Sequence, residues 1–273
     1  MKLFLNHTFS QLWADKDPFV EVLQLNGKEY RNKEGRRTLQ LTLGGHSYFL
    51  KVHQGIGWKE IIKNLLQFRL PVIGASNEYL AAKKLAELGV DTLTPVAYGK
   101  RGSNPARQLS FILTEDLSNT TSLEDYCADW KQSPPPFVQK RALIDLLANV
   151  SRTMHGAGIN HRDYYLCHFL LANDTIDQLA HPKCFLIDLH RAQLRASTPY
   201  RWAVKDIAGL YFSAMDAGLK KRDLFRFIRI YGGGNLREEF LRNGDFWREV
   251  QSKATKLYIK DHGKAPEVVF SGE

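Results

Sequence analysis

The sequence predicts an α+β protein in two parts, a β-rich first portion followed by a mainly helical remainder. Short runs with partial alternation at Glu29–Arg31, Thr38–Leu43 and Ser47–Val52 crowd the first third, and Gly44-Gly45 between the last two is a hairpin signal. Apolar residues then recur with a helical period at Leu143, Ile144, Leu147, Val150 and Met154. After that helix, Met154–Leu171 (MHGAGINHRDYYLCHFLL) passes through a glycine stop and a polar loop into the buried-strand run Phe169–Leu171. The expected division is 1–116, carrying a helical insert at about 55–72, and 117–273.

Composition narrows the class. Hydrophobic residues make up 44% and charged residues 25% of 273, the balance of a soluble globular protein with room for sizeable cores. Cys127, Cys167 and Cys184 show neither C-x-x-C spacing nor an even count, so reduced thiols in a reducing compartment are expected. The opening MKLFLNHTFSQLWADKD turns polar too soon for a signal peptide. No stretch approaches the ~20 apolar residues of a spanning helix, and a cytoplasmic location is expected. The net charge of +9 suits nucleic acid, an anionic membrane face or a phosphorylated substrate. Without zinc-finger spacing or basic tracts interleaved with aromatics, nucleic acid is not the expected partner.

Taken in order, Asn32–Arg37 (NKEGRR) is expected to be the loop joining the first two strands. Tyr48-Phe49-Leu50-Lys51 sets a lysine in an apolar strand. Edge-strand lysines are common, but an interior one needs an anionic partner, because burying an unpaired ammonium is costly. Trp58–Leu70 (WKEIIKNLLQFRL) predicts an amphipathic helix. At about 100° per residue, Trp58, Ile61, Ile62, Leu65, Leu66 and Phe68 share one face, and Lys59, Glu60, Lys63, Asn64 and Gln67 the other. Arg69 interrupts the apolar face and Pro71 limits the helix. Asn77–Leu88 (NEYLAAKKLAEL) is a second helix and supplies Glu78. Gly99–Pro105 is a surface loop, Leu109–Leu113 a strand, and Thr114–Leu117 a connection.

Ser122–Trp130 begins a helix with Ser122 as N-cap and Asp125 at the capping-box position. Pro134-Pro135-Pro136 is a loop before the Lys140–Met154 helix. Cys184–Asp188 reads as a buried strand closed by an aspartate, and Lys205-Asp206-Ile207 opens another apolar helix. Lys220–Tyr231 is an amphipathic basic helix stopped by Gly232-Gly233-Gly234, after which a charged, mobile tail is expected.

His161-Arg162-Asp163, with His168 five residues past the aspartate, is close to the H-R-D-x-x-x-x-N loop of protein kinases. Such a tripeptide also arises by chance in a solvated turn. Lys51, Glu78, Asp163 and Asp188 are each weak signals, but together they follow the order of a two-lobed protein-kinase-like fold. In that grammar Asp163 is the base, Lys51 held by Glu78 meets the ATP phosphates, and Asp188 is the Mg²⁺ ligand. Thr114–Leu117 falls at the hinge, where the backbone of Glu115 and Leu117 faces adenine.

Alternatives remain at several positions. Asp188 can instead cap a turn, and Asp206 matches the buried aspartate that ties down the loop in kinases. His168 stands where an asparagine would hold a second Mg²⁺; imidazole suits that metal poorly. One metal suffices, the second site is looser, or His168 only hydrogen-bonds the loop. Only Gly35 remains of a glycine-rich phosphate loop, leaving backbone and Arg36 or Arg37 for that task, although each arginine taken singly reads more readily as part of an ordinary charged turn. Neither a D-F-G glycine nor an A-P-E motif is present, so an activation loop switched by phosphorylation is not expected.

Longer strings add a resemblance. GINHRDYYLCHFLL, IDLHRAQLR, SLEDYCADW and KEIIKNLL followed by GASNE closely resemble the lipopolysaccharide core heptose(I) kinases of Gram-negative bacteria, over about Trp13 to Tyr258. The resemblance implies ATP- and Mg²⁺-dependent phosphorylation of the first inner-core heptose at its 4-hydroxyl, on a lipopolysaccharide core glycolipid acceptor. It implies work at the cytoplasmic side of the inner membrane, with peripheral membrane contact. Asp163 carries over as base, Lys51 as phosphate ligand and Asp188 as metal ligand. The Trp58–Leu70 helix then has two readings, packing on the small lobe or resting on the membrane or the acyl part of the acceptor. An aminoglycoside- or choline-type kinase, disfavoured by the basic balance, and a silent kinase-like binding module are the rivals.

Overall fold

The computed structural model describes residues 1–33, 35–55, 57–66, 74–176 and 181–267. It comprises two units, a β-rich unit of Met1–Lys84, Leu93–Ser118 and Leu189–Arg191, and a mainly helical unit of Leu85–Thr92, Asn119–Asp188 and Ala192–Glu273. This is a kinase-like two-lobed α+β fold.

The first unit runs β1 (Lys2–Leu5), α1 (His7–Leu12), α2 (Pro18–Gln24), β2 (Lys28–Lys33), β3 (Arg36–Leu43), β4 (His46–His53), α3 (Gly57–Leu66), α4 (Ser76–Glu87), β5 (Pro95–Arg101) and β6 (Leu109–Glu115). Its antiparallel sheet has the order β1-β5-β6-β4-β3-β2. Alternation works as read: Leu39, Leu41, Leu50 and Val52 point to one face, where Phe9 of α1, Trp13 just past it, and Phe19 and Val22 of α2 seal the core. Lys51 pairs with Ile112 and shares the opposite face. There Ile112 packs with Ala75, Tyr98 and Tyr79, and the two tyrosine rings stack at 4.1 Å.

Gly44 and Gly45 both adopt positive φ, the two-residue turn that matches strand twist. The Asn32–Arg37 expectation is corrected. Asn32 pairs with Arg37 and Lys33 with Arg36, so the ladder runs almost to the tip of the hairpin. The strand β6 likewise continues through Glu115, which pairs with Tyr48 and shortens the expected connection. The end of the expected Trp58–Leu70 helix, 67–70, lies outside the described residues.

The second unit holds β7 (Thr120–Ser122), α5 (Leu123–Tyr126), α6 (Phe137–Gly156), β8 (Ile159–Asn160), β9 (Phe169–Ala172), β10 (Cys184–Leu186), β11 (Gln193–Leu194), α7 (Tyr200–Ala214), α8 (Lys221–Tyr231) and α9 (Leu236–His262). Ser122 does cap α5, its Oγ accepting the Asp125 N–H at 3.1 Å. The helix stops at Tyr126, well short of Trp130; past Cys127, the Ala128 and Trp130 N–H groups reach carbonyls three residues earlier instead of four. Beyond Gly232-Gly233-Gly234 the chain forms a 27-residue helix, α9, kinked at Asn243, so the tail expected at the end of the chain begins only after it. Phe246, Trp247, Val250, Ala254 and Tyr258 recur at three- and four-residue steps and are buried, and α9 packs on α7 while α6 packs on α8. No helix among the described residues is long and apolar enough to cross a membrane.

Candidate active site

In the first unit the strand lysine finds its carboxylate. Lys51 Nζ lies 2.6 Å from Glu78 Oε1, with the Glu78 side chain 1% exposed and that of Lys51 28%. A near-buried carboxylate needs such a partner. Its second oxygen, Oε2, is buried without a hydrogen-bond partner among the described residues. Beside the pair, burial and the charges of Arg36, Lys51, His190 and Arg31 drive His53 from the usual 6.5 to about 3.

In the second unit α6 ends at Gly156, and Gly158 reverses the chain with φ +77. A Cβ on Gly158 would come within 2.0 Å of the Arg195 carbonyl oxygen, so only glycine fits this approach. The loop that follows is held by Asp206 of α7, which is 1% exposed. Asp206 Oδ2 accepts the His161 N–H at 2.6 Å, and Oδ1 accepts the Arg162 N–H at 2.8 Å. Lys205 Nζ donates to the Arg162 carbonyl at 2.5 Å. Arg162 adopts φ +77 and Asp188 φ +61, left-handed conformations unusual for residues with a Cβ. Such strain, about 1–3 kcal/mol per residue, persists where surrounding contacts over-determine the backbone, and it concentrates at functional sites. The Arg162 guanidinium lies over the Trp202 ring at 4.9 Å.

The two aspartates are locked to each other through histidines. His161, fully buried, bonds the Ile187 carbonyl through Nε2 at 2.9 Å, one residue before Asp188. Burial lowers its pKa despite that carbonyl and Asp206, so it acts as a neutral donor. His168 Nδ1 donates to the Asp163 carbonyl at 2.6 Å, and its Nε2 lies 3.4 Å from Asp188 Oδ2. Burial alone would lower His168, but hydrogen bonds to Cys167 and the Asp163 carbonyl, with the Asp188 charge, raise it to about 9.

The structure therefore brings Lys51 to Glu78 within one unit, and Asp163 to His168 and Asp188 within the other. Glu115 ends β6, with its N–H donated to the Thr94 carbonyl at 3.0 Å, and Leu117 follows half-buried. Asp116 between them is a residue that sequence reasoning missed: its Oδ2 takes both the Gln40 amide and the Ser47 hydroxyl at 2.7 Å and pins this segment to the sheet. His155 and Tyr231 were also missed. His155 Nδ1 meets the Tyr231 hydroxyl at 2.9 Å and Nε2 faces Asp206 Oδ2 at 3.4 Å. No sequence signal marks them, because His155 is a buried and Tyr231 a half-buried position on helices like many others.

For a metal, the donor set is sparse. Among the described residues no group of three or more His, Cys, Asp or Glu side chains is arranged to hold an ion. Mg²⁺ commonly binds through one or two carboxylates plus phosphates and water, and the half-exposed Asp188 carboxylate fits that habit.

A lysine–glutamate pair in a β-sheet unit, and in a helical unit an aspartate-anchored H-R-D loop locked to a second aspartate, define a phosphotransferase of the protein-kinase-like class. The description "Lipopolysaccharide kinase (Kdo/WaaP) family" matches residues 20–231, and the chain belongs to that family. It is 51% identical over 258 residues to the lipopolysaccharide core heptose(I) kinase WaaP of Pseudomonas aeruginosa, covering 94% of this chain and 96% of that protein. It is 49% identical over 253 residues to the enzyme of that name from Escherichia coli, covering 93% and 96%. A solved structure described as "WaaP in complex with acyl carrier protein" is similar at 46% identity with a TM-score of 0.84, covering 94% of this chain and 100% of that one. The activity is phosphorylation of a lipopolysaccharide core heptose, with a heptose hydroxyl as acceptor.

Proposed function

We propose that this kinase transfers the γ-phosphoryl group of ATP to the 4-hydroxyl of the first inner-core heptose, with Asp163 as the group that orients the hydroxyl and accepts its proton. Lys51, steadied by Glu78, engages the phosphates. The backbone near Glu115 and Leu117 takes the adenine. Asp188 holds Mg²⁺, which when bound neutralises charge on the β- and γ-phosphates. Because a carboxylate is a much weaker base than an alkoxide, the proton moves late and Asp163 contributes chiefly by positioning. The observation that carries this reading is the pair of loop N–H groups on Asp206, which fixes the loop that presents Asp163.

We read His168 as the residue that holds the loop to Asp188, since its Nδ1 is already used on the Asp163 carbonyl. The test is Asp163→Asn with radiolabelled ATP and heptose-bearing acceptor. A fall of about 10²–10⁴-fold in turnover with ATP affinity kept is expected; near-normal transfer overturns the assignment. Mass spectrometry of inner-core lipopolysaccharide from cells with and without the gene then reports the phosphorylated position.

The lipid-bearing acceptor implies work at the membrane surface, on the cytoplasmic side of the inner membrane. A second partner follows from the solved relative and from an apolar cavity in the second unit, lined by Leu147, Leu166, Leu210, Phe227, Trp247 and Val250. An acyl carrier protein bearing a fatty acyl chain presents the chemistry that such a cavity takes. Stabilisation by the acylated carrier protein but not by the unacylated one, read as a melting-temperature shift, is the expected result.

A further inference from the structure

Helix α3 turns most of its apolar face outward. Trp58 is 55% exposed, Ile62 53% and Leu66 76%, whereas Ile61 is 5% exposed. At about 100° per residue the three exposed side chains span an arc of about 80°, and Ile61 lies about 60° to one side of it. The helix therefore seats itself by its Ile61 edge and leaves a ridge of large apolar groups open. Lys59 and Lys63, both exposed, occupy the arc on the other side. Large apolar side chains grouped in this way on a soluble surface mark a contact site.

The start of the helix is tied to the sheet unit. The Gly57 N–H donates to the Ala106 carbonyl at 3.2 Å, and the Ala75 N–H donates to Ser110 Oγ at 3.1 Å. Gly55 has φ +79, and a Cβ there would meet the Ala106 oxygen at 2.5 Å. The start of α3 is thus tied to the stretch linking β5 to β6, where Arg107 adds a further exposed positive charge.

We propose that this face is a membrane-docking surface, with Trp58, Ile62 and Leu66 entering the headgroup–acyl boundary of an anionic bilayer and Lys59, Lys63 and Arg107 meeting its phosphates. The occupant is argued from charge and chemistry. An apolar ridge bordered by lysines, on a chain of net charge +9, complements an anionic interface. The acceptor of this family carries a lipid, so docking holds the kinase at the surface where its substrate lies. The inference deepens the reading of a membrane-anchored acceptor and rests on it for purpose, though not for its measurement.

The test is cosedimentation of the full chain with vesicles of phosphatidylglycerol and phosphatidylethanolamine, against vesicles of phosphatidylcholine alone. Ile62→Glu with Leu66→Glu is expected to reduce anionic-vesicle binding at least about tenfold. It should leave the melting temperature and turnover on water-soluble, deacylated core acceptor unchanged. Lys59→Gln with Lys63→Gln should weaken binding to the anionic vesicles several-fold and leave the neutral ones unaffected. Wild-type-like vesicle binding by the Glu variant overturns the proposal. So does a collapse of its melting temperature, which would make the face part of the core. A wild-type oligomer that the Glu variant dissociates, with no vesicle binding by either, assigns the ridge to a second copy and also overturns it. If wild type binds vesicles but phosphorylates no heptose acceptor, the catalytic reading fails and the docking surface stands.

Discussion

Asp206 Oδ2 accepts the His161 backbone N–H at 2.6 Å, so an aspartate on α7 sets the path of a loop 45 residues earlier in the chain. The same carboxylate also takes the Arg162 N–H and faces His155, whose other nitrogen meets Tyr231. Buried donors that lose an acceptor cost about 1–3 kcal/mol each. Asp206→Asn is therefore expected to lower thermal stability and to cut turnover by about 10²-fold, because the loop that carries Asp163 is displaced. His155→Gln is expected to lower kcat more than it changes the KM for ATP, as a positioning residue does. Unfolding curves paired with steady-state kinetics check both. Equal effects of His155→Gln on kcat and on KM would remove it from that role.

The Lys51–Glu78 pair predicts a coupled response. Lys51→Met should weaken ATP binding and turnover together, and Glu78→Gln should do so in part, because Glu78 is the partner that aims the ammonium. In a double-mutant cycle the two losses should fall short of additivity by about 0.5–3 kcal/mol. Strict additivity in kcat/KM shows that the two residues act separately.

How much of this was legible in the sequence depended on whether burial left a mark in local pattern. The Lys51 strand, the Glu78 helix and the H-R-D loop each sit where alternation, helical period or a glycine stop announces them. The helix α9 did not show itself, because its buried positions are diluted by Arg, Glu, Lys and Asp, and a kink at Asn243 breaks the period. The role of Asp116 was hidden for a different reason. Its partners Gln40 and Ser47 lie about 70 residues away in sequence, and only the sheet brings them together. The strain at Arg162 and Asp188 is likewise a product of tertiary contacts, with no glycine to advertise it.

The position of His53 predicts an acid-sensitive fold. Burial and neighbouring cations depress its pKa from 6.5 to about 3 in the folded chain. A depressed pKa means that the unfolded chain binds the proton more readily. The stability that His53 confers is then complete above about pH 6.5 and is lost progressively as the pH falls toward 3. Melting temperature measured from pH 7 to pH 4 should fall less steeply in His53→Gln than in wild type. Parallel curves would place the acid sensitivity elsewhere.

The last prediction separates two roles for His168. As a metal ligand it would need a free ring nitrogen facing the ion, and His168→Asn, which restores the amide oxygen of protein kinases, should keep or raise Mg²⁺-dependent turnover. As a loop-holding group it works through Nδ1, which donates to the Asp163 carbonyl at 2.6 Å, and through Nε2, which faces Asp188 at 3.4 Å. An asparagine is too short to span from the Asp163 carbonyl to the Asp188 carboxylate, so one of the two contacts is lost. The expected outcome is a substantial fall in kcat for His168→Ala, a partial recovery in His168→Asn, and an unchanged Mg²⁺ concentration at half-maximal activity in both. Titration of Mg²⁺ at saturating ATP measures this directly. A shift of the half-maximal concentration to higher Mg²⁺ in His168→Ala, reversed in His168→Asn, would instead put the residue in the metal's coordination shell.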